Sequence, residues 1–154
     1  ERLMNRLAQK KKVCALIPAR LNSVRFPGKA LKQIDGIPMV VRVLAAARDS
    51  GVFDAVYAAT DSPEIAAVCQ TYGFEAVFTS HSHQNPTSRI QEAVTILEDS
   101  KSASSRKFDF YAMIGGDEPL HQRFCKILWS RRLLLLPQKK MYNVHFSSMP
   151  WQIS

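Results

Sequence analysis

Three cations and a hydroxyl lie close together in the stretch IPARLNSVRFPGKAL: Arg20, Ser23, Arg25 and Lys29. Like charges this close repel one another unless water or an anion separates them. Guanidinium forks, a lysine ammonium and a hydroxyl suit phosphate oxygens, and Gly28 would let the backbone approach a ligand closely. The stretch therefore fits either a solvated basic loop or a phosphate-binding loop, although it lacks the Walker pattern GxxxxGK[ST].

A second segment, IGGDEPL, places two carboxylates directly after two glycines. Carboxylate oxygens that follow a strand are suited to hold a divalent ion between protein and phosphate oxygens. Asp117 is the better candidate for a ligand, and Glu118 is expected to support the loop. The alternative is a turn with solvated acids.

The third segment, SHSHQNPTSRIQEA, contains His81 and His83 two residues apart. The two histidines would suit a metal only if further ligands converged on them; otherwise they are polar surface residues. Thr87 and Ser88 are candidates to cap the helix that follows, whose N-terminus would favour an anion. Glu92 lies inside that helix as a candidate surface acid.

The elements that must position these segments alternate between strands and helices. Apolar runs predict strands over 13–18, 55–61, 74–80 and 108–116. Helical spacing predicts helices over 37–51, 62–73 and 88–100. The helix over 62–73 has Ser62 as its predicted N-cap and Pro63 as its first residue.

This β-α-β-α-β-α-β order indicates an α/β fold with a mainly parallel sheet and helices on both faces, which is a three-layer α/β/α arrangement. Ligands of such sheets bind at the carboxyl ends of the strands. The unusual segments fall there: 18–29, Asp61, 81–89 and 115–119.

The chain has 154 residues, of which 46% are hydrophobic and 22% charged, and this composition is typical of one globular domain. Its net charge of +8 lies at the ends of the sequence. Residues 1–12 form a basic extension, and residues 121–154 carry six cations and no acid. The body between them is slightly acidic, so a specific nucleic-acid partner is not expected.

Residues 13–120 are thus expected to form the α/β lobe. Residues 121–154 are expected to form a divergent basic tail, with a helix near 121–136 and a short strand near 142–147. Three widely spaced cysteines fit reduced thiols, and hence a cytoplasmic location. No apolar run is long enough to span a membrane, and no apolar signal-peptide stretch follows the charges of the N-terminus.

These motifs together resemble a known family, the 3-deoxy-manno-octulosonate (KDO) cytidylyltransferases, or CMP-KDO synthetases. Residues 13–120 are similar in order and spacing to that family's IPARxxSxRxPGKxL, ATD, HxSGTxRxxE and QGDEP segments. The first motif is shared by sugar cytidylyltransferases in general, whereas the last two narrow the resemblance to the KDO branch or to relatives that use an amino-substituted KDO. The resemblance implies a Rossmann-like fold of the nucleotide-diphospho-sugar transferase type.

The resemblance also implies a reaction, in which the anomeric hydroxyl of an acidic sugar attacks the α-phosphate of CTP and releases pyrophosphate, for lipopolysaccharide biosynthesis. By similarity, the triphosphate would be held by Arg20, Ser23, Arg25 and Lys29, with Arg20, Lys29 and Asp117 acting in catalysis. The base would meet the backbone of Pro18 and Ala19 and the side chains of Thr87 and Arg89. His83 and Gly116 complete the expected nucleotide site, and Asp117 would hold Mg²⁺.

The sequence departs from the family pattern at Asn85-Pro86, which replaces Ser-Gly, and at Gly115, which replaces Gln. The resemblance also implies that the chain is incomplete relative to the family. The remainder would supply most sugar contacts, the dimer surface and a second acidic metal ligand. A non-catalytic remnant that binds nucleotide or protein, and a cytidylyltransferase for another nonulosonic-type sugar acid, remain as alternatives.

Overall fold

The structure, a computed structural model, describes residues 12–22, 27–99, 108–115 and 141–144. Within these ranges five strands form one parallel sheet: β1 (Val13–Ala19), β4 (Ala55–Thr60), β5 (Glu75–Phe78), β6 (Phe110–Ile114) and β7 (Met141–Val144). Their order across the sheet is β5-β4-β1-β6-β7. The helices are α1 (Met39–Asp49), α2 (Pro63–Thr71) and α3 (Pro86–Asp99).

The core lies on both faces of β1, because successive residues of a strand point to opposite faces. Ala15 and Ile17 pack with buried residues of α1 and α2, including Leu44 and Ile65. Cys14 and Leu16 pack on the other face with Ile90 and Ala93 of α3. The helices thus cover both faces, and the predicted three-layer α/β/α fold is confirmed.

The start of α2 follows the sequence prediction closely. The Ser62 hydroxyl accepts a hydrogen bond from the Ile65 N–H at 3.2 Å, and Pro63 is the first helical residue. A serine cap satisfies a backbone donor that lacks a partner inside the helix, and proline has no such donor to lose at this position. The helix therefore begins where its capping residues indicate.

The region before α1 differs from the prediction. Residues 37 and 38 belong not to the helix but to a short antiparallel hairpin of β2 (Gln33–Ile34) and β3 (Ile37–Pro38). Asp35 and Gly36 form its turn, with φ of 51° and 77°. An Asp-Gly pair favours such a turn because both residues adopt positive φ. The helical spacing of 37–51 masked this local signal.

The predicted tail contributes one strand to the described sheet. Met141–Val144 pairs in parallel with β6, close to the predicted strand near 142–147. The predicted helix near 121–136 and the basic extension up to residue 11 lie outside the described residues. Among the described helices, none combines the length and apolar character needed to cross a membrane.

Candidate functional site

The parallel strands all end at one edge of the sheet, here called the carboxyl edge. Ala19 is buried at the end of β1, Pro18 is half-buried, and Arg20 is exposed just beyond the strand. The Gly28 N–H donates to the Leu21 carbonyl at 2.8 Å, which brings the chain back to the end of β1. Gly28 has φ of 72°, a conformation that glycine adopts without strain.

Lys29 follows this turn on a short 3₁₀ helix, Lys29–Leu31. The Gly28 carbonyl accepts from the N–H groups of Leu31 and Lys32 at 3.0 and 3.1 Å, which fixes the helix against the turn. Two of the predicted phosphate ligands, Arg20 and Lys29, are therefore positioned at the carboxyl edge by one loop. The other two, Ser23 and Arg25, lie outside the described residues.

The order of the strands reverses at β1, which has β4 on one side and β6 on the other. Such a reversal opens a crevice at the carboxyl edge, where ligands of α/β sheets bind. Arg20 leaves β1 at this point, and Gly115 follows the end of β6 beside it. Gly116 and Asp117 continue directly from Gly115 in the sequence, although both lie outside the described residues.

The N-terminus of α3 lies at the same edge, after the loop that leaves β5. The Asn85 side chain caps it by accepting from the Ser88 N–H at 2.8 Å, and Pro86 is the first helical residue. The expectation that Thr87 or Ser88 caps the helix is therefore wrong, because the helix begins two residues earlier than predicted. Thr87 is exposed in the first turn. Proline at 86 loses no helical hydrogen bond, since the first N–H of a helix has no partner within it.

Arg89 is the most deeply buried cation described, with only 3% of the residue exposed. Its guanidinium donates to the Thr79 hydroxyl at 2.6 Å and to the Ser80 carbonyl at 3.4 Å. It also forms an ion pair with Asp61, with 3.3 Å between Nη2 and Oδ2. Asp61 follows β4, so these contacts join the ends of two neighbouring strands to α3.

Asp61 also accepts a hydrogen bond from the exposed imidazole of His81, whose Nδ1 lies 3.0 Å from Oδ2. Burial raises the pKa of this carboxyl, but the Arg89 charge and the hydrogen bonds from His81 and the backbone oppose it and leave the pKa below its usual value. Asp61 is therefore a stable anion whose charge is compensated within the chain.

Glu92 holds the same loop from the side of α3. Its Oε2 accepts from the Ser80 N–H at 3.0 Å and from Nε2 of His83. The other ring nitrogen of His83 lies 3.0 Å from the Ser88 hydroxyl. The hydrogen bonds from His83 and Ser80 lower the pKa of Glu92. Glu92 is a partly exposed acid on the surface of α3, as expected, and its hydrogen bonds also hold the loop in place.

The described residues do not supply a metal-binding cluster by themselves. Throughout 12–22, 27–99, 108–115 and 141–144, no three His, Cys, Asp or Glu side chains converge as ligands. His81 and His83 instead contact Asp61 and Glu92 separately. The predicted magnesium ligand, Asp117, lies outside those ranges.

The two described cysteines are packing residues. Cys14 and Cys69 are fully buried, and burial raises the pKa of both thiols, that of Cys69 to about 11. A thiol in such surroundings is a poor nucleophile.

Sequence reasoning placed Asp61 at the carboxyl edge but gave it no role, and it did not single out Thr79. Their signal is weak, because a polar residue after a strand is common. The spacing of Arg89 and Glu92 carried more information, since residues three positions apart on a helix are neighbours on its surface. His83 precedes the helix, so its contact with Glu92 could not be read from helical spacing. What could not be read from spacing is that Arg89 points into the protein towards Asp61.

Comparison with known proteins assigns this arrangement to a family. The family model for cytidylyltransferases matches residues 14–126, and the chain belongs to that family. The 3-deoxy-manno-octulosonate cytidylyltransferase of Neisseria meningitidis serogroup A is 53% identical over 83 residues, which cover 54% of this chain and 32% of that protein. The chain thus matches about a third of the length of this curated relative.

Solved structures agree on the fold. CMP:2-keto-3-deoxy-manno-octonic acid synthetase complexed with CTP superposes with a TM-score of 0.68 at 31% identity, over 79% of this chain and 47% of that one. A cytidylyltransferase from Leptospira borgpetersenii gives a TM-score of 0.64 at 19% identity, covering 81% and 50% of the two chains, and supports the fold alone. The predicted resemblance and fold class are therefore confirmed.

Proposed function

We propose that the chain is the nucleotide-binding lobe of a CTP-dependent cytidylyltransferase that activates an acidic sugar of the KDO type. The observation that carries the proposal is the loop after β1, which positions Arg20 and Lys29 at the crevice where the strand order reverses. The similarity to a KDO cytidylyltransferase and to a synthetase complexed with CTP supports CTP as the nucleotide.

In this proposal the chain's own residues bind and orient the triphosphate. Arg20 and Lys29, with Ser23 and Arg25 from the same loop, neutralise the phosphate oxygens. The backbone of Pro18 and Ala19 meets the cytosine, and Thr87 reaches it from the exposed first turn of α3. The anomeric hydroxyl of the sugar then attacks the α-phosphate, the bond to the β-phosphate breaks, and pyrophosphate leaves. Positioning and charge neutralisation suffice for such a transfer.

Magnesium is part of the proposal through Asp117. Mg²⁺ is commonly held by one or two carboxylates together with substrate phosphates, so a single carboxylate beside a triphosphate fits its chemistry. Gly116 and Asp117 follow β6 in the sequence, and β6 pairs with β1, the strand that leads into the loop with Arg20. The ion would add positive charge where the phosphates are negative.

Further parts of the proposal concern the setting of the reaction. A KDO-type sugar acid implies a role in lipopolysaccharide biosynthesis in the cytoplasm. Family resemblance implies a dimer, whose surface would come from the part of the family that this chain does not match. These parts follow from similarity to proteins about three times as long as the matched region.

The direct test is pyrophosphate release from CTP by the chain, with KDO, amino-KDO and a nonulosonic acid as acceptors, each with and without Mg²⁺. The proposal predicts release that requires CTP, Mg²⁺ and a KDO-type acceptor. Pyrophosphate release with the nonulosonic acid alone would show that the chain is specific for another class of sugar acid. Binding of CTP without release under any condition would support a nucleotide-binding remnant.

A further inference from the structure

We propose that Arg89 is a positioning residue, which acts through Asp61 to hold the loop between β5 and α3 and does not contact the nucleotide. This inference rests on the proposed function, because the loop is taken to border the CTP site. It changes the role that family resemblance assigns to Arg89, which is a direct contact with the base.

The burial of Arg89 is the first argument. A cation that binds a soluble ligand must expose donor groups to it, but the side chain of Arg89 is only 4% exposed. Its described donors already serve Thr79, Ser80 and Asp61. A contact with a nucleotide would require breaking a buried ion pair, which leaves Asp61 without its main compensating charge.

The elements that Arg89 connects are the second argument. Asp61 follows β4, Thr79 and Ser80 follow β5, and Arg89 itself belongs to α3. Their contacts therefore lock two strand ends and one helix into a fixed relation at the carboxyl edge. Rigid support of this kind is what a ligand-binding loop needs, because small displacements of contacting groups weaken binding.

A second set of hydrogen bonds, made by Glu92, supports the same loop independently. Glu92, one helical turn after Arg89, accepts from the Ser80 N–H and from His83. Asp61 accepts a hydrogen bond from His81 of the same loop. The loop from Thr79 to Asn85 is thus fixed by two carboxylates of its own chain, while Thr87 is left exposed at its end.

Asp61→Asn separates the two roles of Arg89 by the sign of its effect. If Arg89 contacted CTP, removal of the competing carboxylate would release the guanidinium and reduce repulsion of the triphosphate, so binding would tighten or stay unchanged. If Arg89 acts through Asp61, the loop loses its support and CTP binding weakens, by roughly tenfold for a coupling of ordinary size. The matched control is Asp49→Asn, at the end of α1 on the opposite edge of the sheet.

A double-mutant cycle extends this comparison to Arg89 itself. Arg89→Gln, Asp61→Asn and the double variant are titrated with CTP, and Arg48→Gln at the end of α1 serves as the matched control. If the two residues act as one unit, the double variant should bind CTP no more weakly than whichever single variant binds it more weakly. Independent, additive losses of affinity would overturn the proposal.

Side-chain NMR tests the same point in the parent protein, without relying on the folding of variants. The guanidinium signals of Arg89, assigned by their loss in Arg89→Lys, should remain in place when CTP is added while the loop amides move. A large shift of the Arg89 signals together with unchanged loop amides would overturn the proposal.

Measurements without nucleotide test the positioning role separately from the proposed function. Asp61→Asn should change the Arg89 signals and accelerate hydrogen exchange of the Ser80 amide relative to the parent and to Asp49→Asn. Unchanged signals and exchange would overturn the positioning role whatever the nucleotide result. Failure of the parent to bind CTP would instead contradict the proposed function, and the measurements without nucleotide would still decide whether Arg89 holds the loop.

Discussion

Lys29 is the cation whose proposed role, binding the triphosphate, rests most directly on the loop geometry. It lies on a short 3₁₀ helix at the carboxyl edge, and none of the three residues of that helix is buried. Lys29→Ala should therefore weaken CTP binding by roughly tenfold while the free energy of unfolding changes by less than about 0.5 kcal/mol. Calorimetric titration and urea unfolding measure the two quantities.

The matched control for Lys29→Ala is Lys12→Ala, which removes an exposed lysine at the start of β1, on the edge opposite the site. Equal CTP affinity of Lys29→Ala and the parent would remove Lys29 from the triphosphate site. Equal losses in both variants would indicate a general effect of net charge.

Asp117 is the residue proposed to bind Mg²⁺. Asp117→Asn keeps the size of the side chain but removes the charge that favours Mg²⁺. We expect CTP binding without Mg²⁺ to be retained or tightened, while the added affinity that Mg²⁺ brings is mostly lost. Glu118→Gln is the matched control, and an unchanged response to Mg²⁺ in Asp117→Asn would place the ion elsewhere.

At the residue scale, the sequence predicted where charged residues lie better than it predicted what each of them contacts. Arg20 and Lys29 lie at the carboxyl edge as expected, because the end of a strand and a glycine turn fix their positions locally. The proposed role of Arg89 depends on contacts with Asp61 and Thr79, which belong to other elements of the fold. Such contacts arise only when β4, β5 and α3 pack together.

At the scale of elements, Gly28 links the conformation of one turn to the site. Its φ of 72° and the absence of neighbours within 4 Å of an added Cβ mean that Gly28→Ala suffers backbone strain without a clash. We expect a loss of about 1 kcal/mol in the free energy of unfolding. CTP affinity should fall as well, because the turn carries Lys29.

Gly73→Ala provides the matched comparison for the Gly28 turn. Gly73 also has positive φ, 83°, and open space around it, but it precedes β5 on the opposite edge of the sheet. It should lose similar stability and keep the parent's CTP affinity. If the two variants lost CTP affinity equally, the turn at Gly28 would have no special connection with the site.

Elements with complete local signals were predicted well. The Ser62-Pro63 start of α2 combines a capping hydroxyl with a proline that needs no donor, and the structure confirms both. The hairpin before α1 was missed because the apolar run with helical spacing, 37–51, includes its second strand, Ile37–Pro38, directly after the Asp35-Gly36 turn. The parallel sheet followed from the alternation of strands and helices, but the strand Met141–Val144 beside β6 depends on pairing that spacing alone does not specify.

At the scale of the whole molecule, Asp61 links stability to pH. Its folded-state pKa lies below the ordinary value of 3.8, so its ion pair stabilises the fold at neutral pH and is lost as pH falls through the folded pKa. Asp61→Asn should lower the free energy of unfolding by about 2 kcal/mol at pH 7. The difference from the parent should narrow as pH falls from the ordinary carboxyl pKa of 3.8 through the lower folded-state pKa, where the parent's Asp61 becomes protonated in the folded protein.

Urea unfolding at pH 7 and at pH 3 measures this difference, with Asp49→Asn as the charge-matched control. Glu92, whose pKa is also lowered, remains in both proteins and cancels from the comparison. A stability difference that stays constant between the two pH values would mean that the ionised Asp61 does not stabilise the fold.

The central claim is that the carboxyl edge forms a CTP site, and a thermal-shift titration with CTP, UTP and ATP, each with and without Mg²⁺, tests it most directly. A ligand that binds only the folded state adds about 2.7 kcal/mol of stability at a hundredfold excess over Kd. The account predicts a Mg²⁺-dependent rise in Tm that is largest for CTP. Equal shifts for all three nucleotides, or no shift in a cooperatively folded sample, would contradict it.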